Sequence, residues 1–232
     1  MGPSGAATNM RKLYWHNGIA ERAQSWVDEC QWKHDAQTNR AVASLPGISM
    51  GQNLAAARPP ADAQNWAPRI TAWYNEYKDF TYNVSTDKVV GHFTQLSLAA
   101  SYRIGCGFRT CSMNGQLWDF YYCNYAVSIS SEEQTKPWTD GEQCSECESG
   151  CDNGLCDCGD KACLNYSRMD LSACECRCAS AKLSSEDSFF SGDSCEIVNC
   201  PAETPSFCIG AESKCKYSNW PYEYCPRTCG LC

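Results

Sequence analysis

Histidine is scarce in this chain, with three in 232 residues. No apolar run approaches the roughly 20 residues that a membrane-spanning helix needs. The opening "MGPSGAATNMRKL" lacks the apolar core of a secretory signal peptide. Basic charge is lacking too. The net charge is −8, and residues 1–131 set only 11 bases against 9 acids. That balance cannot build the positive surface that nucleic acid demands. Cysteine is thin in the first 140 residues, which hold Cys30, Cys106, Cys111 and Cys123 alone.

The other 16 cysteines crowd between Cys144 and Cys232. A reducing cytosol would not keep so many thiols paired, so the expected compartment is extracellular. Zinc is the rival use of close cysteine pairs. With so few histidines, the "CDC" and "CECRC" spacings suit disulfides better. Secretion without a visible signal peptide implies an N-terminus that is processed, truncated or engineered. The cysteine-poor part has apolar and aromatic residues enough for a core, whereas the tail needs covalent staples. Acid is concentrated in residues 132–195, where 14 acids face 5 bases. That segment shows no clean calcium-ligand pattern and reads as a solvated acidic surface.

Apolar spacing predicts a helix from Asn9 to Trp32, with Leu13, Ala20, Ala23, Val27 and Cys30 on one side and Asn9 as cap. A loop rich in Ala, Ser, Pro and Gly follows, ending in "GISMGQNLA". A second helix is predicted over Gln64 to Lys78, carrying Ile70, Trp73, Tyr74 and Tyr77. Three strand-like runs come next: Phe93 to Ala99, Tyr102 to Arg109, and Leu117 to Val127. The last two are joined by a hairpin at Asn114-Gly115. Ser128 to Thr139 reads as a linker. Helices before a small antiparallel sheet make an α+β domain.

The segments "MRKLYWHNGIAERAQSWVDECQWKHD", "GQNLA", "ITAWYNEYKDFTY", "GHFTQL", "IGCGFRTC" and "YYCNYA" occur in an order that resembles the CAP superfamily. That superfamily groups cysteine-rich secretory proteins, antigen 5 and class 1 pathogenesis-related proteins. The resemblance implies an α–β–α sandwich around a three-stranded antiparallel sheet. Members usually carry a preceding helix with an "HN…R" pattern, which is absent here, so one face of the sandwich is expected to lose part of its cover. The implied layout is a CAP domain over residues 1–130, a linker and cysteine-rich hinge over 131–157, an EGF-like module over 158–195 and a ShK-type module over 196–232.

The resemblance also implies a central cleft, mapped here onto His34, Gln52, Glu76 and His92. Two imidazoles and a carboxylate could bind zinc weakly or share protons as an acid–base pair. Gln52, where the family has Glu, weakens both, because an amide accepts no proton and ligates poorly. The plainer reading is that these groups hydrogen-bond across the cleft. In the tail, the EGF-like pairing implies Cys158–Cys174, Cys163–Cys176 and Cys178–Cys195. The ShK-type pairing implies Cys200–Cys232, Cys208–Cys225 and Cys215–Cys229. The two bridges among Cys144, Cys147, Cys151 and Cys156 stay unassigned. A channel-blocking Lys-Tyr dyad is displaced to Lys216-Tyr217. Asn83-Val84-Ser85 and Asn165-Tyr166-Ser167 are sequons for glycosylation in a secreted chain.

These features read as a secreted binding protein rather than an enzyme, with lipid or sterol binding and host defence as the roles the resemblance implies. An ion-channel toxin acting through the tail, an extracellular matrix protein and a metal-dependent hydrolase are the alternatives. The partners expected are a lipid or sterol, an extracellular protein or an ion channel.

Overall fold

The computed structural model describes residues 6–59, 64–178, 190–199 and 208. The chain divides into two compact units, residues 1–44 with 49–160 and residues 45–48 with 161–232.

The first unit is built on a four-stranded sheet. Strands β1 (Tyr14–Trp15), β2 (Met50–Ala57), β3 (Arg103–Met113) and β4 (Gln116–Ala126) lie in the order β1-β3-β4-β2. The expected hairpin is present: β3 and β4 pair antiparallel, and Asn114 and Gly115 both take positive φ, 52° and 72°, as a tight two-residue turn requires. Strand β2 adds antiparallel to β4, and the short β1 runs parallel to β3. The sheet is therefore mixed and four-stranded, where three antiparallel strands were expected. "GQNLA", expected to end a loop, is the middle of β2 and is largely buried.

Among the described residues, three α-helices accompany the sheet. Helix α1 spans Asn17–Asp28 and buries Ile19, Ala23 and Val27, one turn apart on one face. It starts eight residues later than its periodicity predicted, because the preceding chain has other partners. The Asn9 side chain exchanges two 3.0 Å hydrogen bonds with Thr139, and Tyr14 and Trp15 join the sheet as β1. His16, not Asn9, is the cap. Helix α2 (Ala67–Asn75) continues as a 3-10 turn, Glu76–Asp79. Residues Gly91–Leu96 form helix α3, although Phe93 to Ala99 was predicted as a strand. The Glu76 carboxylate decides this: its Oε2 accepts from the backbone N–H groups of His92 and Phe93 at 3.0 and 3.1 Å. It thereby satisfies donors that a first helical turn leaves open.

The stretch expected to be a linker is packed. Trp138 is buried against Phe80 and Phe93, and Ala99 N donates to Pro137 O at 2.8 Å. Beyond it, β5 (Cys151–Asp152) and β6 (Leu155–Cys156) form a small hairpin. The unassigned bridges here are Cys144–Cys151 and Cys147–Cys156. This hairpin is tied to the start of the chain: Cys156 N donates to Met10 O at 2.7 Å, and Lys12 Nζ lies 2.6 and 2.8 Å from Asp152 and Asp157. Lys12 and the Tyr14 hydroxyl together hold the Asp157 carboxyl down to about 2.

The second unit carries two hairpins, β7–β8 (Arg168–Asp170, Glu175–Arg177) and β9–β10 (Phe190–Ser191, Ile197–Val198). Its bridges include Cys163–Cys176 and Cys178–Cys195, as the resemblance implied. Cys158, Cys174 and Cys208 are also in disulfides. The remaining cysteines of the ShK-type expectation (Cys200, Cys215, Cys225, Cys229 and Cys232) lie outside the described residues, as does Lys216-Tyr217.

Candidate functional site

Strand β2 is an edge of the sheet, and its side chains alternate between faces. Gln52 and Leu54 share one face with Asn124 and Tyr122 of β4 and with Gly105 and Gly107 of β3. Helix α1 lies against this face so closely that a Cβ on Gly105 would meet Ala20 N at 2.1 Å. Asn53 and Ala55 share the other face with Cys123 and Tyr121, opposite Cys106 and Phe108.

This alternation sorts the four expected cleft residues into two pairs. On the α1 face, Gln52 Nε2 donates to Asn124 Oδ1 at 2.9 Å, so its oxygen is turned to His34 Nδ1 at 2.8 Å. His34 therefore donates from Nδ1 and keeps the lone pair on Nε2. On the other face, His92 Nδ1 lies 2.6 Å from Glu76 Oε1, while the ring stacks on Trp73 at 6.1 Å. Neighbouring Asn53 holds the His92 carbonyl at 3.0 Å.

These distances also test a metal. Both amide atoms of Gln52 and both oxygens of Glu76 are already engaged. Gln52 and Glu76 are therefore orienting partners, and what remains for an ion is one Nε2 on each imidazole. Among the described residues, no three His, Cys, Asp or Glu side chains are grouped to hold an ion.

A second feature on the Glu76 face had no counterpart in the sequence patterns. A groove of about 480 Å³ opens between helix α2 and the sheet. Its walls are Trp66, Ile70 and Trp73 on one side, and Ile104, Phe108 and the Cys106–Cys123 disulfide on the other. None of its described lining residues is charged. Two of the polar ones are committed within the protein: Gln24 bonds both backbone groups of Phe108 at 3.0 and 3.1 Å, and Asn53 donates to the Tyr125 hydroxyl at 3.3 Å. Ile70 stands 43% exposed at the rim. The signal for it was the density of large side chains in residues 66–77, noted only as belonging to a predicted helix.

The sequence profile of the Cysteine-rich secretory protein family, CAP, matches residues 5–125. A cysteine-rich venom protein of Conus marmoreus is 31% identical over an alignment of 235 residues that covers 97% of this chain and 74% of that protein. The chain belongs to the CAP family. Cysteine-rich secretory protein 3 of Equus caballus is 35% identical over 154 residues, 65% of this CAP protein and 60% of the horse one. Among solved structures, NaASP2 with Zn2+ is similar in fold, with a TM-score of 0.53, 22% identity and coverage of 65% of this chain and 78% of that one. No described cysteine is free, as an oxidising compartment requires. No described helix is long and apolar enough to cross a membrane.

Proposed function

We propose that this CAP protein is an extracellular binding protein, not an enzyme, whose ligand is a neutral apolar molecule of lipid or sterol class held in the α2 groove. The groove carries this reading. Its volume falls within the roughly 300–1,000 Å³ of small-molecule sites, and it is lined by aromatic and aliphatic groups. Because Gln24 and Tyr125 are spent internally, a ligand would gain by burying apolar surface rather than by pairing a charge. The venom and secretory names of the relatives agree with action outside the cell. Any weak zinc binding would rest on a single imidazole, His34 or His92, each oriented by its own partner, Gln52 or Glu76.

Titration with a fluorescent sterol and a fluorescent fatty acid tests it. Both probes should bind and quench tryptophan emission, the sterol more tightly. Ile70→Glu, a change at the exposed rim, should weaken binding at least tenfold with circular dichroism unchanged. Equal binding by wild type and variant would place the ligand elsewhere.

A further inference from the structure

Two asparagines sit in the glycosylation sequon, and their surroundings differ in every respect that matters to a glycan. Asn83 is exposed, as are Val84 and Ser85 beside it. It occupies a reverse turn in which Val84 N donates to Thr81 O at 3.1 Å, and it takes φ 61°, a conformation asparagine tolerates. The turn is fixed from behind by its own backbone, Asn83 N donating to Thr135 O at 2.8 Å. The side chain is therefore presented to solvent from an anchored loop.

Asn165 is 5% exposed. Its Nδ2, the atom that would carry the sugar, donates to Cys195 O at 2.8 Å, and its backbone N donates to Pro46 O at 2.9 Å. Its Cα lies 2.7 Å from where a Cβ on Gly47 would stand, so the chain around it leaves no room for a bulky substituent. Cys195 is itself bridged to Cys178, which fixes the carbonyl that Asn165 holds. A sugar on Nδ2 would have to leave through packed backbone.

We propose that Asn83 is the N-glycosylated asparagine of this chain, and that Asn165 carries no glycan in the folded molecule. In the transfer, Nδ2 of Asn83 bonds to the anomeric carbon of a lipid-pyrophosphate-linked oligosaccharide. It loses one proton as the lipid pyrophosphate leaves. Asn165 meets the same chemistry only before the second unit closes. A molecule modified there would keep one N–H on Nδ2 but could not bury a side chain that carries a glycan, so it would not reach the folded, fully bridged state.

The test is secretion of the full chain from eukaryotic cells behind a heterologous signal sequence, followed by intact mass and peptide mapping of alkylated, unreduced protein. Secreted material with no free thiol should carry one N-glycan, removed by amidase digestion with conversion of Asn83 to Asp. Ser85→Ala should abolish the mass shift, and Ser167→Ala should leave it unchanged. A glycan on Asn165 in fully bridged secreted protein would overturn the proposal, and so would an unmodified Asn83.

Discussion

Helix α1 begins on a histidine, an unusual cap. His16 Nδ1 accepts from Ile19 N at 3.2 Å, which an imidazole can do only while that nitrogen is unprotonated. Burial first, and the Arg103 guanidinium second, lower the pKa of His16 below its ordinary 6.5, against the weaker pull of Asp160 and Glu21. A proton there would break the cap and set positive charge at the positive end of the helix. The direction of the shift fixes the sign of its effect on stability. The cap is at full strength above about pH 6.5; as pH falls below that value the unfolded chain takes up the proton first, and stability is lost until the folded pKa is passed. Replacing His16 with Asn should keep a cap and flatten this part of the profile, whereas His16→Ala should cost about 1 kcal/mol at neutral pH. Urea denaturation between about pH 7.5 and 5, either side of the ordinary imidazole value, reads both. An unchanged slope in His16→Asn would assign the pH dependence to other groups.

The elements show where sequence patterns stop being informative. Strands β3 and β4 were legible because their turn chemistry and alternation agree, and the centre of α1 because Ile19, Ala23 and Val27 repeat once per turn. Helix α3 was not, since six residues hold less than two turns and its start depends on Glu76, distant in sequence. Strand β2 hid in small residues whose burial comes from β4 and α3 rather than from their own bulk. Its alternation also sets Gln52 beside His34 and Asn53 beside His92, pairings that the family resemblance behind the four-residue cleft left open. Strand β3 poses a further problem: β1 pairs only with Arg103 and Ile104, so the edge beyond is open. The Gln24 side chain meets it by acting as a substitute peptide, accepting from Phe108 N and donating to Phe108 O. Unpaired edges recruit other strands. Gln24→Ala should therefore lower stability by about 1–2 kcal/mol for the lost bonds. It should also raise self-association, measured by sedimentation velocity. A monomeric variant of wild-type stability would show the edge to be protected otherwise.

At the scale of the whole molecule, each of the two units rests on its own balance of forces. The first buries aromatic clusters from several elements, including Phe120 and Tyr122 with Val27, Trp73 with Tyr125, and Phe80 and Phe93 with Trp138. Among the described residues of the second, the corresponding cluster is Phe190 with Cys195, flanked by Cys176 and Cys178. Hydrophobic burial can sustain the first without its bridges, but the described residues of the second set little against the chain entropy that its disulfides restrict. Cys30–Cys111 closes a separation of 81 residues, worth about 4.5 kcal/mol on the chain-entropy estimate, so reduction weakens the sheet considerably. Cys163–Cys176 and Cys178–Cys195 close separations of 13 and 17 residues, about 3 kcal/mol each on the same estimate. Those smaller terms nonetheless decide the outcome there, because little apolar core lies beneath them among the described residues. Under graded reduction at neutral pH, amides of β7 and β8 should lose hydrogen-exchange protection at lower reductant than those of β2 and β4. Tyrosine and tryptophan fluorescence should report the sheet's core as intact at that stage. Loss of protection in β4 together with β7, or before it, would mean that the sheet depends on its bridges as much as the cysteine-rich unit does.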